Sequence, residues 1–301
     1  MSDPRTLRSL HRLESRLLVE ELGTRFRRDD KLEGGLTIVI PNWNHRAFLP
    51  RSVGSALQGV KRLEEDGFSG EILVIDDASR DGSQKRLRSI QMLYPESRIK
   101  VLFLPRNVGL PRVRNLGLQM SKYRYVCLMD ADNELIGDNL PLFLRSIIET
   151  GATLVHGNLI EKQGEQVTQM LSSRVANLRL TERNFIDAFA LVEADKLLRL
   201  GGYMSDPLLY GIEDWEMLLH LIFEETKIVF VPAAMGYYYR NPRSMLEEIS
   251  QEGEGEKGHS KAADQSSLVQ RMYAQTGTRE WDPLQVGRIY HPAVGYITQC
   301  Q

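Results

Sequence analysis

Tyr125-Val-Cys-Leu-Met-Asp-Ala-Asp-Asn-Glu134 decides how the chain is read, because an apolar run ends there abruptly in carboxylates. Val126 to Met129 are β-branched or large apolar residues, and unbroken apolarity over so few positions suits a strand covered on both faces. In an extended backbone Asp130 and Asp132 project to one side, with Ala131 turned away. Two carboxylates facing the same way repel unless a cation lies between them. Oxygen ligands of this kind suit Mg²⁺ or Mn²⁺, whose shells are commonly completed by phosphate oxygens and water. The stretch therefore reads as a strand-end site for a metal and a diphosphate. A solvated acidic turn that closes a buried strand uses the same residues, and an Asp-x-Asp alone does not separate the two.

Working back from this stretch, strands and helices alternate. Leu36-Thr-Ile-Val-Ile40 is a β-rich run expected to stop at Pro41, which has no N–H for a ladder. Arg46 to Glu65 places Leu49, Val53, Ala56, Leu57 and Val60 at helical spacing. Glu71-Ile-Leu-Val-Ile75 is a second strand ending in Asp76-Asp77, and Asp81-Gly-Ser83 starts a helix carrying Leu87, Ile90 and Leu93. Residues 99–104 make a third strand, and Pro111 suits the first turn of a helix that runs to Met120. Alternation of this kind predicts right-handed βαβ units on a parallel sheet, where ligands bind beyond the carboxyl ends of the strands. Asn42, Asp76, Asp77, Asp130 and Asp132 all fall at such ends. That convergence of separate segments raises the acidic stretch above a plain turn.

Downstream, Leu140 to Thr150 reads as a helix, residues 152–156 as a strand and the polar run 161–169 as a turn or exposed hairpin. Residues 184–200 read as mainly helical, and Gly201-Gly-Tyr203 breaks that helix. Gly211-Ile-Glu-Asp214 introduces the helix Trp215 to Glu224, so Asp214 stands at a helix start, a placement expected to lower its pKa. Lys227-Ile-Val-Phe-Val231 is the last core strand. Residues 4–28 form an amphipathic helix with leucines on one side and arginines elsewhere, suited to its own domain, to self-association or to an anionic membrane. Residues 251–265, rich in Gly, Glu, Lys and Ser, read as a mobile linker before a short helix and tail. The expected organisation is an N-terminal helix over 1–33, a catalytic domain over 34–245 with a nucleotide-binding half (34–135) and an acceptor half (136–245), and an extension over 246–301.

A hydrophobic fraction of 42%, a charged fraction of 26% and a net charge of −2 describe a soluble globular chain with no general affinity for nucleic acid. Cys127 and Cys300 form neither a metal motif nor a disulfide framework, which points to a reducing, cytoplasmic setting. No apolar run approaches the roughly 18 residues that span a bilayer, which leaves peripheral association at the inner face of a membrane.

The motifs fall in an ordered series: Ile38-Val-Ile-Pro-Asn-Trp-Asn44, Val74-Ile-Asp-Asp-Ala-Ser-Arg-Asp-Gly82, Asn107-Val-Gly109 with Arg114-Asn115, Asp130-Ala-Asp132, and Glu213-Asp-Trp215. In this order they resemble family 2 glycosyltransferases, inverting enzymes of the α/β GT-A fold with a Rossmann-like, mostly parallel central sheet flanked by helices. The resemblance covers roughly residues 36–245 and implies a nucleotide-sugar donor, a UDP-sugar first among them. It implies nucleotide contacts by Pro41, Asn42, Asn44, Asp76, Asp77, Arg114 and Asp130, and a metal, Mn²⁺ or Mg²⁺, held by Asp132 with Asp130. Asp214 resembles the catalytic base that deprotonates a glycan or lipid-linked acceptor in polysaccharide biosynthesis. Around the sugars it puts Glu213, Trp215, Asp130 and Ala131, although Trp215 also suits packing. Arg240 and Arg243 resemble a loop that closes over the diphosphate. Asn133 and His220 depart from the pattern, standing where relatives carry an acid and an arginine. Two other readings use the same acids: a sugar nucleotidyltransferase, which needs a Gly-rich basic loop after the first strand, and a non-catalytic sugar-nucleotide-binding or scaffold module of a larger assembly.

Overall fold

The computed structural model describes Arg8, residues 31–94, 98–173, Leu180, 184–240, Ser267, Met272, 289–291 and 295–297. The expected helix over 4–28 and linker over 251–265 lie outside these residues, Arg8 excepted.

Leu36, Ile38 and Ile40 of β1 (Leu32–Asn42) point to one face of the sheet and Val39 to the other, and all four are fully buried. The strand is thus covered on both sides, as its near-continuous apolarity requires. On one face lie α1 (Leu49–Glu65), α2 (Ser83–Leu93) and α4 (Leu140–Thr150). On the other lie α3 (Leu110–Met120), α5 (Ala194–Arg199) and α6 (Glu213–Phe223). Each buried Leu, Ile or Val removed from water contributes about 1.5–3 kcal/mol, so these two apolar layers hold the sheet between them.

The parallel part of the sheet follows the order β3 (Ile99–Phe103), β2 (Ser69–Asp76), β1, β4 (Tyr123–Leu128). The chain walks outward from β1 to β3 with its helices on one face. It then returns through α3 on the opposite face and lays β4 against the free edge of β1. The junction of β1 and β4 is therefore a topological switch point, where the strand ends open a crevice. Pro41 lies within β1, opposite Ile75, and does not end it. The carbonyl of Val39 faces β4 and that of Asn42 faces β2, so the missing N–H of Pro41 points toward β4, whose pairing with β1 stops at Leu128. Close contact between α3 and β1 depends on Gly117, where a Cβ would come within 2.4 Å of Val39.

Beyond β4 the sheet becomes mixed, through β8 (Leu191–Glu193), β6 (Leu154–Gln163), β9 (Ile228–Tyr239) and β5 (Glu134–Leu135). The polar run forms the hairpin of β6 with β7 (Gln166–Leu171). Residues 184–200 are not mainly helical: residues 184–190 are irregular, β8 inserts antiparallel between β4 and β6, and only α5 is helix. Burial of Leu191 and Val192 in the sheet overrides their helical spacing. β9 runs past Val231 to Tyr239, and β10 (Ile289–His291) pairs with β11 (Gly295–Ile297).

Candidate active site

At the ends of β1 and β2 polar side chains lock onto one another. Asn42, 1% exposed, donates from Nδ2 to Asp76 Oδ1 (2.7 Å) and to Ser79 Oγ (3.2 Å), and Asp76 Oδ2 accepts from the Ser79 N–H. Asn44, at φ 58°, accepts the Arg80 N–H on its side-chain oxygen. Asp77 accepts the N–H groups of Val108 (2.7 Å) and Gly109 (2.9 Å), one on each oxygen. Burial raises its pKa, and these two donors offset part of the effect. Its carboxylate thus clamps the loop before α3, while Asp76 and Asn42 build the floor beside it.

Asp130 and Asp132 follow β4 in a turn, not in extended backbone: the strand ends at Leu128 and the Asn133 N–H returns to the Asp130 carbonyl (3.1 Å). Asn133 is buried and accepts the Tyr239 N–H (3.3 Å). Arg51 of α1 donates to the Asp132 carbonyl and stacks 3.4 Å from the Tyr239 ring. Burial and the neighbouring Asp130 raise the Asp132 pKa, with His45 and Arg51 pulling the other way. An excess of half-buried negative charge with oxygen donors fits Mg²⁺ or Mn²⁺. Among the described residues no three His, Cys, Asp or Glu side chains are grouped so as to hold a metal ion, so an ion here would need phosphate and water for its remaining ligands.

Arg114 of α3, 3% exposed, joins this turn to the start of α6. Its guanidinium reaches Asp130 (3.1 and 3.3 Å) and Glu213 at the start of α6 (3.1 Å), and lies 5.3 Å from the Tyr203 ring centre. Burial would lower its pKa, but Asp130 and Glu213 outweigh that and hold it above its ordinary value. Its donors are thus turned toward protein carboxylates.

Asp214, half-buried, accepts its neighbour's N–H from Trp215 (2.7 Å) and the Asn184 amide (3.2 Å). Burial, with Glu213 and Asp187 beside it, pushes its carboxyl up to about 7, against the pull of Arg114. The expected lowering at a helix start is overturned, because desolvation and like charges outweigh the single backbone donor. Asp187 is itself raised to about 6, chiefly by burial, and it feels Asp130 and Asp132 on its other side. The strand-end acids and Asp214 are thus linked through Arg114, which holds Asp130 and Glu213 together, and through Asp187, whose charge is felt by Asp214 and which itself feels Asp130 and Asp132.

Asp187 and Tyr238 stand close enough to these acids to feel their charge, and neither stands out in the sequence. Asp187 was hidden in a stretch read as helix. Tyr238 sits among Asp187, Asp132 and Asp130, and burial with those charges keeps its hydroxyl protonated. Continuing β9 through 237–239 supplies the missed signal, since alternation turns Tyr238 away from Tyr237 and Tyr239. Other expected site residues lie elsewhere. Ala131 is buried in the core on one face of the sheet, and Trp215 packs in the core on the other, with its indole N–H on the Leu180 carbonyl (2.6 Å). Arg240 pairs with Glu161 (3.1 Å), and Arg243 lies outside the described residues.

The arrangement has counterparts of known fold. A crystal structure of S. aureus TarS 1–349 in complex with UDP-GlcNAc matches 84% of this chain and 70% of its own, at TM-score 0.61 and 16% identity. The mannosyltransferase PcManGT from Pyrobaculum calidifontis, in complex with GDP-Man and Mn²⁺, matches 90% and 81%, at TM-score 0.56 and 12% identity. These likenesses define the class by fold: the GT-A glycosyltransferase architecture. An uncharacterized glycosyltransferase of Haemophilus influenzae is 28% identical over 171 residues, 54% of this chain and 65% of its own length. The family model described as glycosyl transferase family 2 matches residues 37–200, and the chain belongs to that family.

Proposed function

We propose that the chain is an inverting glycosyltransferase that moves a sugar from a nucleoside diphosphate sugar to a hydroxyl of a glycan or lipid-linked acceptor. The observation that carries this reading is the bridge by which Arg114 ties Asp130 at the end of β4 to Glu213, the neighbour of Asp214, whose carboxyl burial and adjacent acids push up to about 7. A base with that pKa accepts a proton near neutral pH. Asp214 takes the acceptor's hydroxyl proton while that oxygen bonds to the anomeric carbon and the bond to the diphosphate oxygen breaks. One displacement from the opposite face inverts the configuration and needs no covalent enzyme intermediate.

Asp132, with Asp130, is the candidate for holding Mn²⁺ or Mg²⁺, which when bound supplies Lewis-acid stabilisation of the departing diphosphate. Asn42, Asn44, Asp76 and Asp77 form the nucleotide end, where a carboxylate suits the imide N–H of uracil as acceptor. UDP-sugars are therefore the first donors to try. Among solved folds of this class, TarS is complexed with UDP-GlcNAc and the mannosyltransferase with GDP-Man and Mn²⁺. A nucleotidyltransferase is disfavoured because Pro41-Asn-Trp-Asn-His45 lacks a basic, Gly-rich loop.

The test is incubation with Mn²⁺, a panel of UDP- and GDP-sugars and simple glycan acceptors, with product configuration read by NMR. An inverted glycoside whose formation is lost in Asp214→Asn, with nucleotide binding retained, is expected. A product of retained configuration, or nucleotide binding without turnover for every donor and acceptor, would overturn the reading, the second favouring a binding module.

A further inference from the structure

Arg8 lies outside the family match, which begins at residue 37. Yet it is 2% exposed, and its guanidinium donates to the carbonyl of Gly202 and pairs with Glu216, itself fully buried on α6. Glu216 lies two positions after Asp214, about 200° around the helix, so Arg8 holds α6 from the side opposite the base. The Gly201-Gly202 turn is shaped to receive it. Both glycines have positive φ (103° and 65°), and a Cβ on Gly201 would stand 2.8 Å from the Arg8 side chain. A Cβ on Gly202 would stand 2.3 Å from Asn115 Oδ1 of α3. The turn is thus gripped between Arg8 and Asn115, and Asn115 exchanges two hydrogen bonds of 2.8 Å with the backbone of the next residue, Tyr203. Tyr203 lies beneath Arg114, which pairs with Glu213 beside the base.

We infer that Arg8 is a positioning residue for the transfer step: it fixes α6 and the Gly202-Tyr203 turn so that Asp214 and Arg114 keep their places. The inference rests on the proposed transferase activity but extends to residues no family feature covers. Removing one member of a buried ion pair takes a charge partner from the other, so loss of Arg8 disturbs the back of the helix that carries the base.

The experiment uses the full chain as wild type, Arg8→Met, Glu216→Gln and the double variant, all well below their melting temperatures. Arg8→Met is expected to lower kcat by about 10- to 100-fold with the donor KM within about twofold of wild type. The double variant, in which neither buried group is charged, is expected to recover most of kcat. Hydrogen exchange at residues 201–203 and 213–216 should accelerate in Arg8→Met and slow again in the double variant. Unchanged kcat in Arg8→Met, equal losses in kcat and donor affinity, or a double variant as slow as the single one overturns the inference. If the wild type itself transfers no sugar, the activity reading has failed, and the exchange arm still decides: wild-type protection in Arg8→Met removes the positioning role.

Discussion

Asp214 carries the reaction in this reading, so its substitutions are the most direct tests. Asp214→Asn keeps the size of the side chain and removes the base; kcat is expected to fall at least about 100-fold, while nucleotide affinity measured by calorimetry stays within a few fold. Because the wild-type carboxyl is raised to about 7, kcat/KM should climb as pH rises and level off above that value. Glu213 is one of the charges that push Asp214 upward. Glu213→Gln removes it and leaves more of the Arg114 charge for Asp214, so the midpoint of the climb should move to lower pH. A midpoint that stays in place in a pH–rate series means that Glu213 does not tune the base.

At the scale of elements, Asp77 and Gly117 connect local chemistry to packing. Asp77→Asn replaces a carboxylate that accepts two backbone N–H groups. It should cost about 1–3 kcal/mol of stability and weaken nucleotide binding by loosening the loop ahead of α3, read by thermal melting with and without UDP. Gly117→Ala places a methyl where Val39 already stands; overpacking of this kind costs about 1–3 kcal/mol, measured by denaturant unfolding. The first parallel strands and their helices were legible in the sequence because short apolar runs, Pro41 apart, meet clear helix-start residues. β8 was not, since three residues squeezed between irregular backbone and a one-and-a-half-turn helix leave no period to count. The strand-end acids and the position of Asp214 at a helix start were legible from the sequence. Asp187 and Tyr238 were not, because each meets those acids only through the strand geometry around it. The direction of the Asp214 shift was missed for a physical reason: a helix start is visible in sequence, whereas the burial and the Asp187 charge that outweigh it arise from residues distant in the chain.

For the molecule as a whole, the grouping of Asp214 with Glu213 and Asp187 exacts a stability cost. Asp214 and Asp187 have folded-state pKa values near 7 and 6, above the roughly 3.9 of an unfolded aspartate. The protonated forms favour the folded chain, so this contribution is fully present below about pH 4 and is lost as pH rises through 6 to 7. Asp214→Asn should therefore melt higher than wild type at pH 8, by an amount equivalent to roughly 2–4 kcal/mol, with the gap closing at pH 4 to 5. Adding Mn²⁺ together with UDP to the wild type at pH 8 should raise its melting temperature by more than the sum of the two separate shifts; a merely additive shift would argue against a joint site. No described helix is long and apolar enough to cross a membrane.

Arg114 has a consequence for anyone recombining this chain with its relatives. A chimaera joined after residue 135 would take Arg114 and Asp130 from one parent and Glu213 from the other, although one guanidinium serves both carboxylates. The same junction separates Asn115 from Tyr203 and Arg51 from Tyr239. The first half is therefore not a detachable cassette: exchanging it successfully requires transplanting these matched contacts as a set.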